Sequence, residues 1–286
     1  MKRAILTVAA AAALVSFGAS AAEVIKLWPN GAPNKSTITE AEYTNEKGAI
    51  FNVTEGRMEV TVPQTKGTKA VILIPGGGYG NLSMDSLNHS YIPYLVKQGV
   101  TVFTLKYRLP QGNPEVPLAD VNQAVKLVRS LAPKYGFKRV GVMGMSAGGH
   151  LAAMGSVSCT ADACPDFSVL VYPNITMMQE ESQPKSSCRN NLIGKDRSVK
   201  YDVRFSAYKH VSLTTPPAFL AVSAQDEFAG SLGSMLYTRA MIENNRPVSL
   251  HVYPTGNHGW NIGRTEKFPD GDKFEADLTA WLADIQ

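Results

Sequence analysis

The chain has 286 residues, of which 44% are hydrophobic, enough for one large core but not for two full domains. Its formal net charge is +4, with no dense block of basic residues, which excludes a chain built to track nucleic-acid phosphates. Three cysteines with no histidine at ligand spacing make a zinc site a poor reading.

Lys2 and Arg3 precede an apolar run from Ala4 to Phe17 and a small-residue site at Ala19-Ser20-Ala21. That three-part order is the pattern of a secretory signal peptide, and the run is too short to span a bilayer. Residues 1–21 are therefore read as a leader cleaved near Ala21 or Ala22, leaving a catalytic unit over 22–286 that is periplasmic or secreted, with no membrane anchor. Without the leader 26 basic and 24 acidic residues remain, a net charge of +2. An odd cysteine count in an oxidising compartment implies one disulfide and one free thiol. Cys159 and Cys164 are close in sequence and are the favoured pair; Cys188 remains an alternative partner for either.

Ile50 to Val62 reads as an antiparallel hairpin turning at Thr54-Glu55-Gly56. Beyond it, short apolar runs alternate with helix-patterned segments, the rhythm of a mostly parallel sheet with helices on both faces. The strands are expected at Ala70 to Ile74, Val100 to Leu105, Arg139 to Met143, Phe167 to Tyr172, Ala218 to Ser223 and Val248 to Tyr253. Helices are expected at Ser90 to Lys97, Ala119 to Leu131, Ala147 to Val157, Leu232 to Glu243 and Asp272 to Ala283, where apolar residues recur at three-and-four spacing. Residues 177–212 break the rhythm with a polar stretch. They form either a small cap or an irregular surface crossover.

Gly144-Met145-Ser146-Ala147-Gly148 is a G-x-S-x-G pentapeptide between an expected strand and an expected helix, the strand-turn-helix setting of a nucleophile elbow. A Cβ at 144 or 148 would crowd the neighbouring strand and helix. A serine hydroxyl needs a histidine base oriented by a carboxylate, and in this arrangement the acid and then the histidine follow the serine in the chain. Of five histidines, His89 precedes the serine, His150 sits one turn into the next helix, His210 lies in the polar insertion and His251 lies within a strand. His258 remains, in the loop Thr255-Gly256-Asn257-His258-Gly259-Trp260 after the last strand. Asp226, one residue nearer its strand than Glu227, is the acid. Pro75-Gly76-Gly77-Gly78-Tyr79-Gly80 follows a strand and fails the template of a phosphate loop. The N–H groups of Gly77, Gly78 and Ala147 are assigned to an oxyanion hole, with Tyr79 lining the substrate pocket.

With these segments in hand, the chain resembles the α/β-hydrolase superfamily, and within it the carbohydrate-esterase branch of acetyl xylan esterases and their esterase and lipase relatives. The resemblance rests on LWPNGAPN, IPGGGYGNLS, LKYRLP with PLADVNQAVKLVRS, GMSAGGH, TPPAFLAVSAQDE and YPTGNHGW, in order from residue 27 to 260. It implies an α/β-hydrolase fold and a serine esterase that needs no cofactor or metal. Its substrates would be small, acetyl-type esters, such as acetylated oligosaccharides of xylan or pectin. Two departures from the branch are Pro75 in place of a histidine before the glycines, and Glu-Phe-Ala-Gly after Asp226 where a Val-Pro is usual. A serine peptidase of the same fold and a non-catalytic binding protein are the rival readings; the first needs a deeper site, the second a missing triad member.

Overall fold

The computed structural model describes residues 23–195 and 198–285. The expected leader, 1–21, lies outside the described residues. Eight strands form the main sheet: β1 (Glu23–Lys26), β2 (Arg57–Thr61), β3 (Lys69–Ile74), β4 (Thr101–Lys106), β5 (Arg139–Met145), β6 (Phe167–Val171), β7 (Ala218–Ser223) and β8 (Val248–Tyr253). Their spatial order is β1-β2-β4-β3-β5-β6-β7-β8. Only β2 runs against its neighbours, pairing antiparallel with β1 and β4, and every other pair is parallel. From β3 to β7 the strands are almost continuously buried, which is why they read as unbroken apolar runs rather than as alternating ones. This is the doubly wound, mostly parallel architecture of the α/β-hydrolase fold.

The covering helices are α1 (Ile92–Lys97), α2 (Glu115–Ser130), α3 (Ala132–Tyr135), α4 (Ala147–Val157), α5 (Cys188–Ile193), α6 (Val199–Arg204), α7 (Leu232–Glu243) and α8 (Gly271–Asp284). α4 is buried from Ala147 to Ser156. Its small residues allow the helix to sit against β5 and β6 and to pack against α2.

The expected hairpin over 50–62 does not form. Ala49–Phe51 instead belongs to a separate small sheet, antiparallel to Tyr43–Thr44 and to Leu82–Ser83. β2 pairs with β1 and β4. Both halves are extended as the residue types predict, but their partners are distant in the chain. Gly56 serves the N-terminal segment, its carbonyl accepting from Leu27 N–H at 3.0 Å.

That segment is fastened by a buried ion pair. Asp120, fully buried on α2, accepts from Arg108 N at 2.8 Å and Nη2 at 2.7 Å, and from Trp28 Nε1 at 2.6 Å. Arg108 Nη1 then donates to the carbonyls of Pro33 and Asn34, at 3.1 and 3.0 Å. The guanidinium thereby joins the chain before β2, the exit of β4 and the first turns of α2.

Cys159 and Cys164 are joined in a disulfide, and Cys188 is free and buried. Residues 177–212, between β6 and β7, contain α5 and α6, and a buried pair of Arg189 with Asp202, Nε to Oδ1 at 2.8 Å, ties the two helices. Among the described residues no helix is long and apolar enough to cross a membrane.

Candidate active site

Ser146 sits where β5 turns into α4, with φ 56° and ψ −121°, a conformation that costs a non-glycine residue on the order of 1–3 kcal/mol. The turn is held by Ser146 N–H donating to Val171 O and by His150 N–H donating to Ser146 O, both at 3.0 Å. It also needs Gly144 and Gly148. A Cβ on Gly144 would lie 2.1 Å from Gly148 O, and one on Gly148 would lie 2.3 Å from Ile74 O. Because backbone on both sides would have to move, Gly148→Ala is expected to destabilise the fold by about 3 kcal/mol, read as a lowered urea midpoint. An unchanged midpoint would show that the helix can withdraw.

Ser146 Oγ lies 2.7 Å from His258 Nε2, and His258 Nδ1 lies 2.8 Å from Asp226 Oδ2. The second oxygen of Asp226 accepts from Phe228 and Ala229 N–H at 2.8 and 2.9 Å. An ionised carboxylate accepts and does not donate, so His258 carries its proton on Nδ1 and turns a lone pair toward the serine hydroxyl. A hydroxyl so placed can be deprotonated as it attacks a carbonyl. Burial pushes the Asp226 carboxyl upward, but the hydrogen bond and charge of His258 and the two backbone donors outweigh it and hold the group below the usual carboxylate range. Glu227, the neighbour passed over in the sequence, is exposed and pairs with Lys185.

The histidine loop is braced from behind. Trp260 O accepts from Tyr91 and Tyr172 hydroxyls at 2.9 and 3.0 Å, while the Tyr172 ring packs edge-on against His258 at 4.9 Å and Phe228 lies 5.6 Å away on the rim. Despite its altered wording, the Glu-Phe-Ala-Gly loop brings Asp226 to the histidine.

The glycine loop aims its amides through its carbonyls. Gly77 O accepts from Gly80 and Asn81 N–H at 3.0 and 3.2 Å, and Gly76 O accepts from Ser83 N–H at 3.1 Å. In a planar trans peptide the C=O and the following N–H point in opposite directions. With the Gly76 and Gly77 carbonyls committed to the loop interior, the Gly77 and Gly78 N–H groups face away from it. The same logic turns Ala147 N–H away from the Ser146 carbonyl. Among the described residues no backbone carbonyl accepts from any of the three. At φ 121° Gly77 admits no side chain, whose Cβ would fall 2.1 Å from Asn81 O.

Tyr79 departs from expectation. Its ring is only 2% exposed and does not line the cavity; its hydroxyl donates to His150 Nδ1 at 2.7 Å. His150 Nε2, in turn, donates to Phe205 O at 2.7 Å, so the imidazole is neutral with its proton on Nε2. The left-handed backbone at Tyr79, φ 61°, turns the ring inward, where it pins the glycine loop to α4 and the insertion. Burial pushes His150 down to about 4 from 6.5, against the hydrogen bond to Phe205. A histidine with a depressed folded pKa contributes stability that is complete above its unfolded value and is lost as pH falls. Acidification from pH 6.5 toward 4 is therefore expected to lower the urea midpoint, and Asp226 adds a further loss only below the ordinary carboxylate range. An NMR titration placing His150 near its unfolded value would refute this.

The remaining histidines stand apart: His89 faces Asp85 at 3.2 Å, His210 meets Val203 O at 3.0 Å and His251 meets Asp277 at 3.1 Å. Among the described residues no group of three side chains is arranged to hold a metal ion.

Ser146 and His258 open into a cavity of about 590 Å³, within the range of small-molecule sites. The small sheet, which the sequence reading did not connect to the site, supplies one wall through Lys47, Ala49 and Phe51; the insertion supplies another through Lys185, Ser186, Ser187 and Cys188. Asn191 on α5 donates to Gly78 O at 2.8 Å, so the insertion also fastens the glycine loop.

The model of the BD-FAE family matches residues 58–240. The chain belongs to the BD-FAE family. This member is 34% identical over 256 residues to the acetylxylan esterase of Xylanibacter ruminicola, covering 87% of the chain and 52% of that protein. It is 28% identical over 217 residues to endo-1,4-beta-xylanase B of Butyrivibrio fibrisolvens, covering 69% of the chain and 33% of that protein. The chain thus spans about half or less of the curated relatives it matches. Among solved structures, the acetyl ester-xyloside bifunctional hydrolase of Caldicellulosiruptor lactoaceticus superposes with a TM-score of 0.71 at 24% identity, over 92% of this chain and 96% of that one, which establishes the shared α/β-hydrolase fold of the BD-FAE member.

Proposed function

We propose that this chain is a serine esterase that removes small acyl groups, acetyl foremost, from xylan-related or pectic oligosaccharides. The observation that carries the reading is the continuous chain from Ser146 Oγ through His258 to Asp226, at 2.7 and 2.8 Å. His258 takes the serine proton as Oγ attacks the ester carbonyl, and the oxyanion rests on the N–H groups of Gly77, Gly78 and Ala147. His258 then returns the proton to the departing sugar hydroxyl. Water, deprotonated by the same imidazole, releases the acid from the serine. The names of the relatives support the carbohydrate ester, and the asparagines and serines that line much of the cavity suit a hydroxyl-rich substrate.

Export belongs to the same reading. The disulfide between Cys159 and Cys164 favours an oxidising compartment and supports a leader over residues 1–21.

Chain-length preference provides the test: p-nitrophenyl acetate is expected to be turned over at least about tenfold more efficiently than the octanoate, and acetate is expected to be released from acetylated xylan or pectin fragments. Preference for octanoate, with no acetate from either polymer, would reject a carbohydrate acetylesterase.

A further inference from the structure

Besides the histidine, the cavity wall carries three charged side chains, Lys47, Asp85 and Lys185. Lys185 is paired with Glu227, and Asp85 lies 3.2 Å from His89, an ion pair only when that imidazole is protonated. Asp226 lies outside this lining, committed to His258 and two backbone amides. Lys47, which lines the same cavity as Ser146, has no ionic partner among the described residues.

Its position is built. Lys47 sits at the tip between the strands Tyr43–Thr44 and Ala49–Phe51, where Asn45 Oδ1 accepts from Lys47 N–H and Ala49 N–H, both at 3.0 Å, and Gly48 N–H donates to Asn45 O at 3.0 Å. Gly48 completes the turn at φ 74°. The small sheet that carries this tip is tied to the glycine loop by Ser83 N–H donating to Gly76 O at 3.1 Å. The same wall holds Phe51, whose ring is stacked on Tyr43 at 5.0 Å. An aromatic side chain, a cation and several amide and hydroxyl side chains in one cavity suit a sugar ring that bears a carboxylate.

We infer that Lys47 forms a subsite for the carboxylate of a uronic-acid residue, so that the preferred substrate is an acetylated oligosaccharide with an acidic sugar close to the ester. The inference rests on the esterase reading above and narrows it. A neutral acetylated oligosaccharide enters the same cavity but leaves the ammonium group without a partner. Long-range attraction between Lys47 and the acidic ligand adds to the association step and is screened by salt.

The test compares acetate release from uronic-acid-substituted and neutral acetylated xylo-oligosaccharides of equal length. Wild type is expected to favour the acidic substrate in kcat/KM by about three- to tenfold at low salt, with the ratio falling toward one near 0.5 M NaCl. Lys47→Gln should remove the preference through KM for the acidic substrate, bringing the acidic-to-neutral ratio of kcat/KM to about one, and Lys47→Arg should keep most of it. Lys47 is exposed on a turn, so these variants are expected to fold. Equal efficiency on both substrates in wild type, or a ratio unchanged by Lys47→Gln, overturns the inference while the esterase reading stands. Inactivity on both oligosaccharides and on p-nitrophenyl acetate sinks both readings together.

Discussion

Ser146→Ala is expected to lower kcat for p-nitrophenyl acetate by about 10⁴-fold or more, with the circular dichroism spectrum and melting temperature essentially unchanged. The change removes one oxygen atom and leaves Cβ in place, so the strained turn at φ 56° and its bonds to Val171 and His150 persist. What disappears is the atom 2.7 Å from His258 Nε2. Ser146→Gly should be equally inactive but more stable by on the order of 1 kcal/mol, because glycine adopts that backbone without steric cost. The two variants separate chemistry from strain. Wild-type turnover in Ser146→Ala would move the reaction to another group and reject the proposed mechanism.

The largest loss of stability is expected far from the serine, at Asp120. Asp120→Ala removes the counter-charge of a guanidinium that is 1% exposed and leaves Trp28 Nε1 without its acceptor. Breaking a buried pair from one side typically costs about 3–5 kcal/mol. For a chain of this size that corresponds to a fall in melting temperature of about 10 °C, measurable by calorimetry. Much of the loss should return in Arg108→Met combined with Asp120→Leu, since the larger part of the penalty is an uncompensated charge. A melting temperature for Asp120→Ala within a degree of wild type would show that water reaches Arg108.

The parts of the site that local chemistry controls were legible in the sequence. Gly144, Ser146 and Gly148 stand out as a turn because strand, strained turn and helix are contiguous, and the close approach of Gly148 to Ile74 O leaves no room for another residue. His258 and Asp226 could be reached by elimination because few histidines exist and loops after strands are easily located. Pairing across distance was not legible. Ile50–Phe51 and Arg57–Thr61 look alike as extended segments, yet one builds the cavity wall and the other the main sheet, and neither pattern names its partner. β1 escaped notice for the same reason, its four residues being too few for a periodic signal. Tyr79 was misplaced because the direction of its side chain follows from a positive φ that nothing in a glycine-rich string announces for its non-glycine member.

The brace behind His258 gives the molecule an optical handle. Trp260 is 4% exposed and lies 4.6 Å from Tyr172, which in turn touches the imidazole; the other tryptophans are Trp28, beside Arg108, and Trp281, against Phe167. With Trp281→Phe and Trp28→Phe as background, the emission of the remaining indole would follow ligand arrival and acylation at Ser146 without any added dye, making single-turnover kinetics readable on natural, chromophore-free esters.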